Sequence, residues 1–104
     1  MSVGRIESYL HSDRITPNKL GVLVKVTSDT DFGAKTPEFI SFCQRIAKLA
    51  GGFFQPEDEL TWEGLVKAVG YTGEQTQTLE TERAALSKTL KETITIEEIV
   101  ILRL

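Results

Sequence analysis

The sequence predicts an α+β domain, a three-stranded antiparallel β-sheet packed on one face by about three helices, in the order β-hairpin, helices, β. Three observations point there. Two short β-forming stretches near the start are separated by turn residues, apolar positions then recur at helical spacing, and a tract of Ile, Val and Leu closes the chain. With 104 residues and 40% apolar content there is material for one modest core, so residues 1–104 are read as a single domain.

The first strand is "RIESYLH", residues 5–11, where Ile6 and Tyr9 sit among polar neighbours. The second is "LGVLVKV", residues 20–26, with Val22, Val24 and Val26 on one side and Leu23 on the other. Between them "SDRITPNK" holds Asp13, Pro17 and Asn18, the turn chemistry of an antiparallel hairpin with a long connection. A loop, "SDTDFGAKTPEF", spans residues 28–39 and ends in a helix start. There Thr36 accepts a hydrogen bond from an early backbone N–H, Pro37 loses no bond at the first helical position, and Glu38 suits the positive end of the dipole. Phe39, Phe42, Cys43, Ile46, Leu49 and Ala50 form the apolar stripe of this helix, and Gly51 with Gly52 is expected to stop it. A shorter amphipathic segment begins at about Thr61, with Trp62, Leu65, Val66 and Val69 on one face before Gly70. "YTGEQTQT" then reads as a polar, mobile connection to a third helix over about residues 78–91, striped by Leu79, Leu86 and Leu90. Within "ITIEEIVILRL" the tract Ile99 to Leu104 is the third strand, its Ile99 and Ile101 opposed to Val100 and Leu102.

Charge and composition exclude several functions. Fifteen acids against 12 bases give a net charge of −3 with no basic block, which disfavours binding to nucleic acid phosphates. No apolar run is long enough to span a bilayer and "MSVGRIESYL" lacks the apolar centre of a signal peptide, so no membrane is expected as partner and the location expected is cytoplasmic. Nucleophilic catalysis finds one cysteine, Cys43, on an apolar helix face and one histidine, His11, at a strand end. Cys43 reads as a buried small hydrophobe in a reducing compartment. Asp29, Asp31 and Glu38 are the one conceivable oxygen site for a metal, but "DTDFGAKTPE" lacks the ligand spacing of a calcium loop. "AGGFF" lacks the Lys and the spacing of a phosphate-binding loop. The adjacent carboxylates Glu57 with Asp58 and Glu97 with Glu98 read as solvated charges, since nothing nearby would separate their pKa values. No cofactor, no metal and no bond-making activity is expected.

One feature stands outside this inventory: Phe32, a large ring between polar runs, directly after an aspartate. The stretch "LGVLVKVTSDTDFGAKTPEF" that carries it resembles the central signature of the elongation factor Ts family, in which a G-V-L-V-E-V strand is followed by N-C-x-T-D-F-V-A and a helix start. "GRIESYLH" looks like the family's preceding strand, and "ETERAALSKTLKETITIEEIVIL" like its helix, short turn and strand, so that the likeness takes in almost the whole chain as the N-terminal half of the family's core. Thr27 and Ser28 stand where the family usually has Asn and Cys, and Gly33 where it has Val, a change expected to make the loop more flexible. The family's N-terminal helical module, second core half and helical hairpin have no counterpart in these residues.

The resemblance implies a guanine-nucleotide exchange factor that binds elongation factor Tu and promotes GDP release in translation elongation. It assigns partner binding to Thr30, Asp31, Phe32 and Gly33, with the Asp31–Phe32 pair as the wedge whose ring enters the partner and disturbs its magnesium and phosphate region. Two other roles compete: an adaptor that binds elongation factor Tu without exchange activity, and a purely structural oligomerisation module. Because half a core leaves one sheet face uncovered, a homodimer through the sheet is expected.

Overall fold

A computed structural model of the chain describes residues 3–11, 20–54, 58–72 and 77–104. The expected turn residues Asp13, Pro17 and Asn18, and Glu57 of the first carboxylate pair, lie outside the described residues.

Strand β1 (Val3–His11) pairs antiparallel with β2 (Leu20–Ser28) in unbroken register from Val3↔Ser28 to His11↔Leu20. The closing strand β5 (Thr95–Arg103) pairs antiparallel with the other edge of β2, giving the order β1-β2-β5 and the α+β fold the sequence predicts. On the central strand the period of two holds: Val22, Val24 and Val26 are buried under the helices while Leu23 and Lys25 point away. Strand β5 starts at Thr95, ahead of the expected Ile99, and the reason is a bulge. Lys25 pairs with Glu98 but Val26 with Ile96, so Glu97 is the extra residue. The bulge lets Ile96 and Ile99 both face the core, although an odd separation would put them on opposite faces of a regular strand.

The segment expected as a loop after β2 contains one helical turn, α1 (Asp31–Ala34). It leads into α2 (Pro37–Phe53), which starts as predicted: Thr36 Oγ1 accepts from Phe39 N–H at 3.3 Å and Pro37 opens the helix. The predicted stop at Gly51 and Gly52 is not observed, because the helix runs to Phe53 and Phe54 caps it. Gly51 serves packing instead. A Cβ there would lie 3.0 Å from the Tyr9 ring and 3.3 Å from Val22, so glycine lets the helix lie against β1 and β2. Arg103 of β5 donates to the Phe54 carbonyl at 2.7 Å and ties the helix end to the sheet.

Helix α3 (Trp62–Val69) is capped by Thr61 and ends at Gly70, whose φ of 70° is the left-handed conformation that favours glycine. At the two ends of the expected connection Tyr71–Thr72 (β3) pairs with Gln77–Thr78 (β4), a ribbon too short to show a period in the sequence, while residues 73–76 lie outside the described residues. Helix α4 (Leu79–Leu90) follows, with Thr78 accepting from Thr81 N–H at 3.3 Å.

The core lies between the sheet and the helices. Phe39, Cys43, Ile46, Ala47 and Ala50 of α2, Leu65 of α3 and Leu79 of α4 pack over Val22, Val24, Val26, Ile96 and Ile99. Trp62 meets Phe42 edge to face, centroids 6.3 Å apart, and donates from Nε1 to Glu80 at 3.2 Å. Arg83 joins them, donating to Glu80 at 2.7 Å and to the Ile94 carbonyl at 2.8 Å. Among the described residues nothing covers the other face of the sheet, where Ile6, Leu10, Leu23, Val100 and Leu102 are between 39% and 73% exposed.

Candidate partner-binding site

Thr30 organises the turn that joins β2 to α2. Its side chain accepts from Gly33 N–H at 3.2 Å, and its carbonyl accepts from Ala34 N–H at 3.3 Å and from the Ser28 hydroxyl at 3.0 Å. The turn then passes directly into the α2 cap, since Thr36 donates from both its N–H, at 3.2 Å, and its hydroxyl, at 2.9 Å, to the Gly33 carbonyl. Four residues thus form one capped turn whose inner side, Gly33 and Ala34, is buried.

The outer side carries Asp31 and Phe32, both exposed, with Phe32 82% in solvent. A ring folded back under the loop to staple the helix start is therefore not the conformation adopted. Of the four residues assigned to partner binding, Thr30, Asp31 and Phe32 are at the surface, and Gly33 is buried behind them.

Gly33 does not loosen the loop as expected. A Cβ at this position would lie 2.2 Å from the Glu92 carboxylate, so the glycine makes room for a side chain from the connection between α4 and β5. That carboxylate accepts from Thr30 N–H at 2.9 Å and from the Thr30 hydroxyl at 2.8 Å. Asp29 makes the reverse contact, accepting from Thr93 N–H at 2.7 Å. Glu92 was not legible beforehand: in "KETITI" it is one acid in a polar turn, and its partner is 62 residues away. Asp29, considered as an oxygen ligand, is committed to backbone, and among the described residues no three His, Cys, Asp or Glu side chains form a group that could hold a metal ion.

The two residues weighed for nucleophilic chemistry are differently placed. Cys43 is fully buried, and burial pushes its thiol up to about 12, so no thiolate is available near neutral pH. His11 Nδ1 is 2.8 Å from the Tyr9 hydroxyl, with the rings 6.0 Å apart. Among the described residues no helix is long and apolar enough to cross a membrane.

Fold and site together define a small α+β domain that presents an aromatic ring on a capped turn, tied by hydrogen bonds to a distant part of the chain. Over 44 residues, 42% of this chain, it is 52% identical to the elongation factor Ts of Rubrobacter xylanophilus, of which the matched stretch is 20%. Similar identities relate it to the elongation factor Ts of Alkaliphilus metalliredigens, 50% over 46 residues, and of Carboxydothermus hydrogenoformans, 46% over 44 residues. The chain spans about a fifth of the length of these curated relatives, the matched shares being 20%, 19% and 18%. No family model matches it. The likeness is thus local, covering 42% to 44% of the chain where the sequence motifs suggested nearly all of it.

Proposed function

We propose that this chain binds elongation factor Tu through Thr30, Asp31 and Phe32 and promotes release of GDP from it in translation elongation. The observation that carries this is Phe32: a ring left 82% exposed on a turn whose inner side is buried and whose Thr30 is hydrogen-bonded on both sides. Its burial in a partner's pocket would contribute about 1.5–3 kcal/mol, a reason for an apolar side chain to stand at such an apex. Identity to elongation factor Ts proteins over about two-fifths of the chain supports the choice of partner.

Exchange then follows from linkage. If elongation factor Tu binds this chain less well while GDP and magnesium are in place, this chain weakens GDP binding by the same factor. Gly33 contributes from behind the contact by letting the turn close on Glu92. No covalent bond is made or broken, no cofactor is needed, and the place of action is the cytoplasm. The uncovered apolar face of the sheet pairs with that of a second copy, making a homodimer.

Release of a fluorescent GDP analogue from elongation factor Tu, measured with and without this chain beside a pull-down, tests the reading. Faster release with co-purification is expected. Co-purification at an unchanged release rate would select the adaptor role, and neither effect would leave an oligomerisation module.

A further inference from the structure

The turn that carries Phe32 is held from outside as well as by its own hydrogen bonds. Helix α1 is four residues long, and a helix of a single turn is not stable without support from outside it. The exposed Phe32 ring adds no packing on the protein side. Besides the sheet and α2, on which Gly33 and Ala34 are buried, the connection between α4 and β5, 62 to 64 residues away in sequence, lies against the turn.

The two segments exchange hydrogen bonds reciprocally. Glu92 takes two donors from Thr30, at 2.9 and 2.8 Å, and Asp29 takes Thr93 N–H at 2.7 Å, so each segment offers a carboxylate to the other's backbone. Glu92 is itself placed by the end of α4. Lys91 adopts φ 57°, the left-handed conformation that turns the chain out of the helix, and both Lys91 N–H and Glu92 N–H close on the Ser87 carbonyl, the latter at 3.1 Å. A second Ser87 contact, from its hydroxyl to the Glu92 carbonyl, fixes the same residue. Gly33 leaves the space into which the carboxylate fits.

We infer that Glu92 and Asp29 are positioning residues, clamping the aromatic turn to the end of α4 so that Phe32 is held outward in one orientation. The clamp belongs to the isolated chain; its effect on a partner rests on the function proposed above. A partner contact made through a turn held this way loses less conformational freedom on binding, so the clamp acts on affinity through Phe32 without touching the partner.

Amide hydrogen exchange in the full chain tests the clamp directly. Glu92→Ala is expected to speed exchange at Thr30 on the order of tenfold, with Asp29→Ala doing the same at Thr93. Glu92→Gln, which keeps one acceptor oxygen and the side chain's shape, should fall between, and it replaces Glu92→Ala should that variant fail to fold. Glu97→Ala removes a carboxylate that accepts from Thr27 on the sheet at 3.1 Å and should leave Thr30 unchanged. Protection at Thr30 that survives loss of Glu92 overturns the inference. Affinity for GDP-loaded elongation factor Tu separates positioning from general stability: Glu92→Ala should weaken binding several-fold in the wild-type background and not at all beside Phe32→Ala. Equal losses in both backgrounds would reject action through the ring. A wild-type chain that does not bind would defeat the proposed function, while amide exchange still decides the clamp.

Discussion

A phenylalanine side chain in water forgoes about 1.5–3 kcal/mol that burial would return, which is the gain the proposed partner contact at Phe32 would realise. Because the ring buries no core surface, Phe32→Ala is expected to leave the thermal midpoint unchanged and to weaken binding to elongation factor Tu by about 1–3 kcal/mol. A large fall in midpoint with binding intact would make Phe32 a residue of the fold. Cys43 is the opposite case, apolar in role and sealed in the core. Desolvation pushes its thiol up to about 12 from 9.0, so above pH 9.0 the unfolded chain ionises this group while the folded chain does not. Stability contributed by the neutral buried thiol is therefore present at neutral pH and lost as pH rises beyond 9.0. A thiol reagent should label Cys43 only at the rate of unfolding; rapid labelling of the folded chain would contradict this placement.

Helix α4 packs Leu79, Leu86 and Leu90 against the core and carries a polar network in its first turn. Leu79 is its buried residue, while Glu80 accepts hydrogen bonds from Arg83 and from Trp62. The Arg83 hydrogen bond is the main cause that holds the Glu80 carboxyl below its ordinary 4.5, with Trp62 helping against a smaller desolvation effect. Since the folded pKa is depressed, its stabilisation is complete above 4.5 and disappears as pH falls below that value. Glu80→Gln should flatten the acid limb of a stability-against-pH curve measured by urea unfolding. An acid limb of unchanged slope would assign that pH dependence to other carboxylates. The element starts were legible because they are local: Thr36 and Thr61 each cap a helix from three residues away. The end of α2 was not, because Gly51 answers to Tyr9 and Val22 across the helix–sheet interface, not to its neighbours in sequence.

For the whole molecule the open question is the second face of the sheet. Ile6, Leu10, Leu23, Val100 and Leu102 line it from all three strands, with Lys25 and Glu98 beside them. Small soluble domains rarely leave such a patch uncovered once it exceeds a few hundred Å². Light scattering at micromolar concentration is expected to give twice the mass of one chain, and Leu23→Glu, a charge on the central strand, is expected to give a monomer. A mass near 11.6 kDa for the wild type would reject the homodimer.

Periodicity and capping chemistry by themselves determined the strands of the hairpin, the core stripe of α2 and the position of Phe32 at a turn. These follow from contacts between residues a few positions apart, which a linear pattern records. Tertiary structure alone decided the rest: the bulge at Glu97 that brings Ile96 into the core, the helical Gly51 under Tyr9, and the burial of Gly33 against Glu92. Each of these is a close approach between segments far apart in the chain, and the residue chosen there reflects the space left by its distant neighbour. Asp31 and Phe32 were singled out by the resemblance to the elongation factor Ts signature, while the carboxylates against their turn, Asp29 and Glu92, could be connected to it only once β2 and the end of α4 were seen side by side.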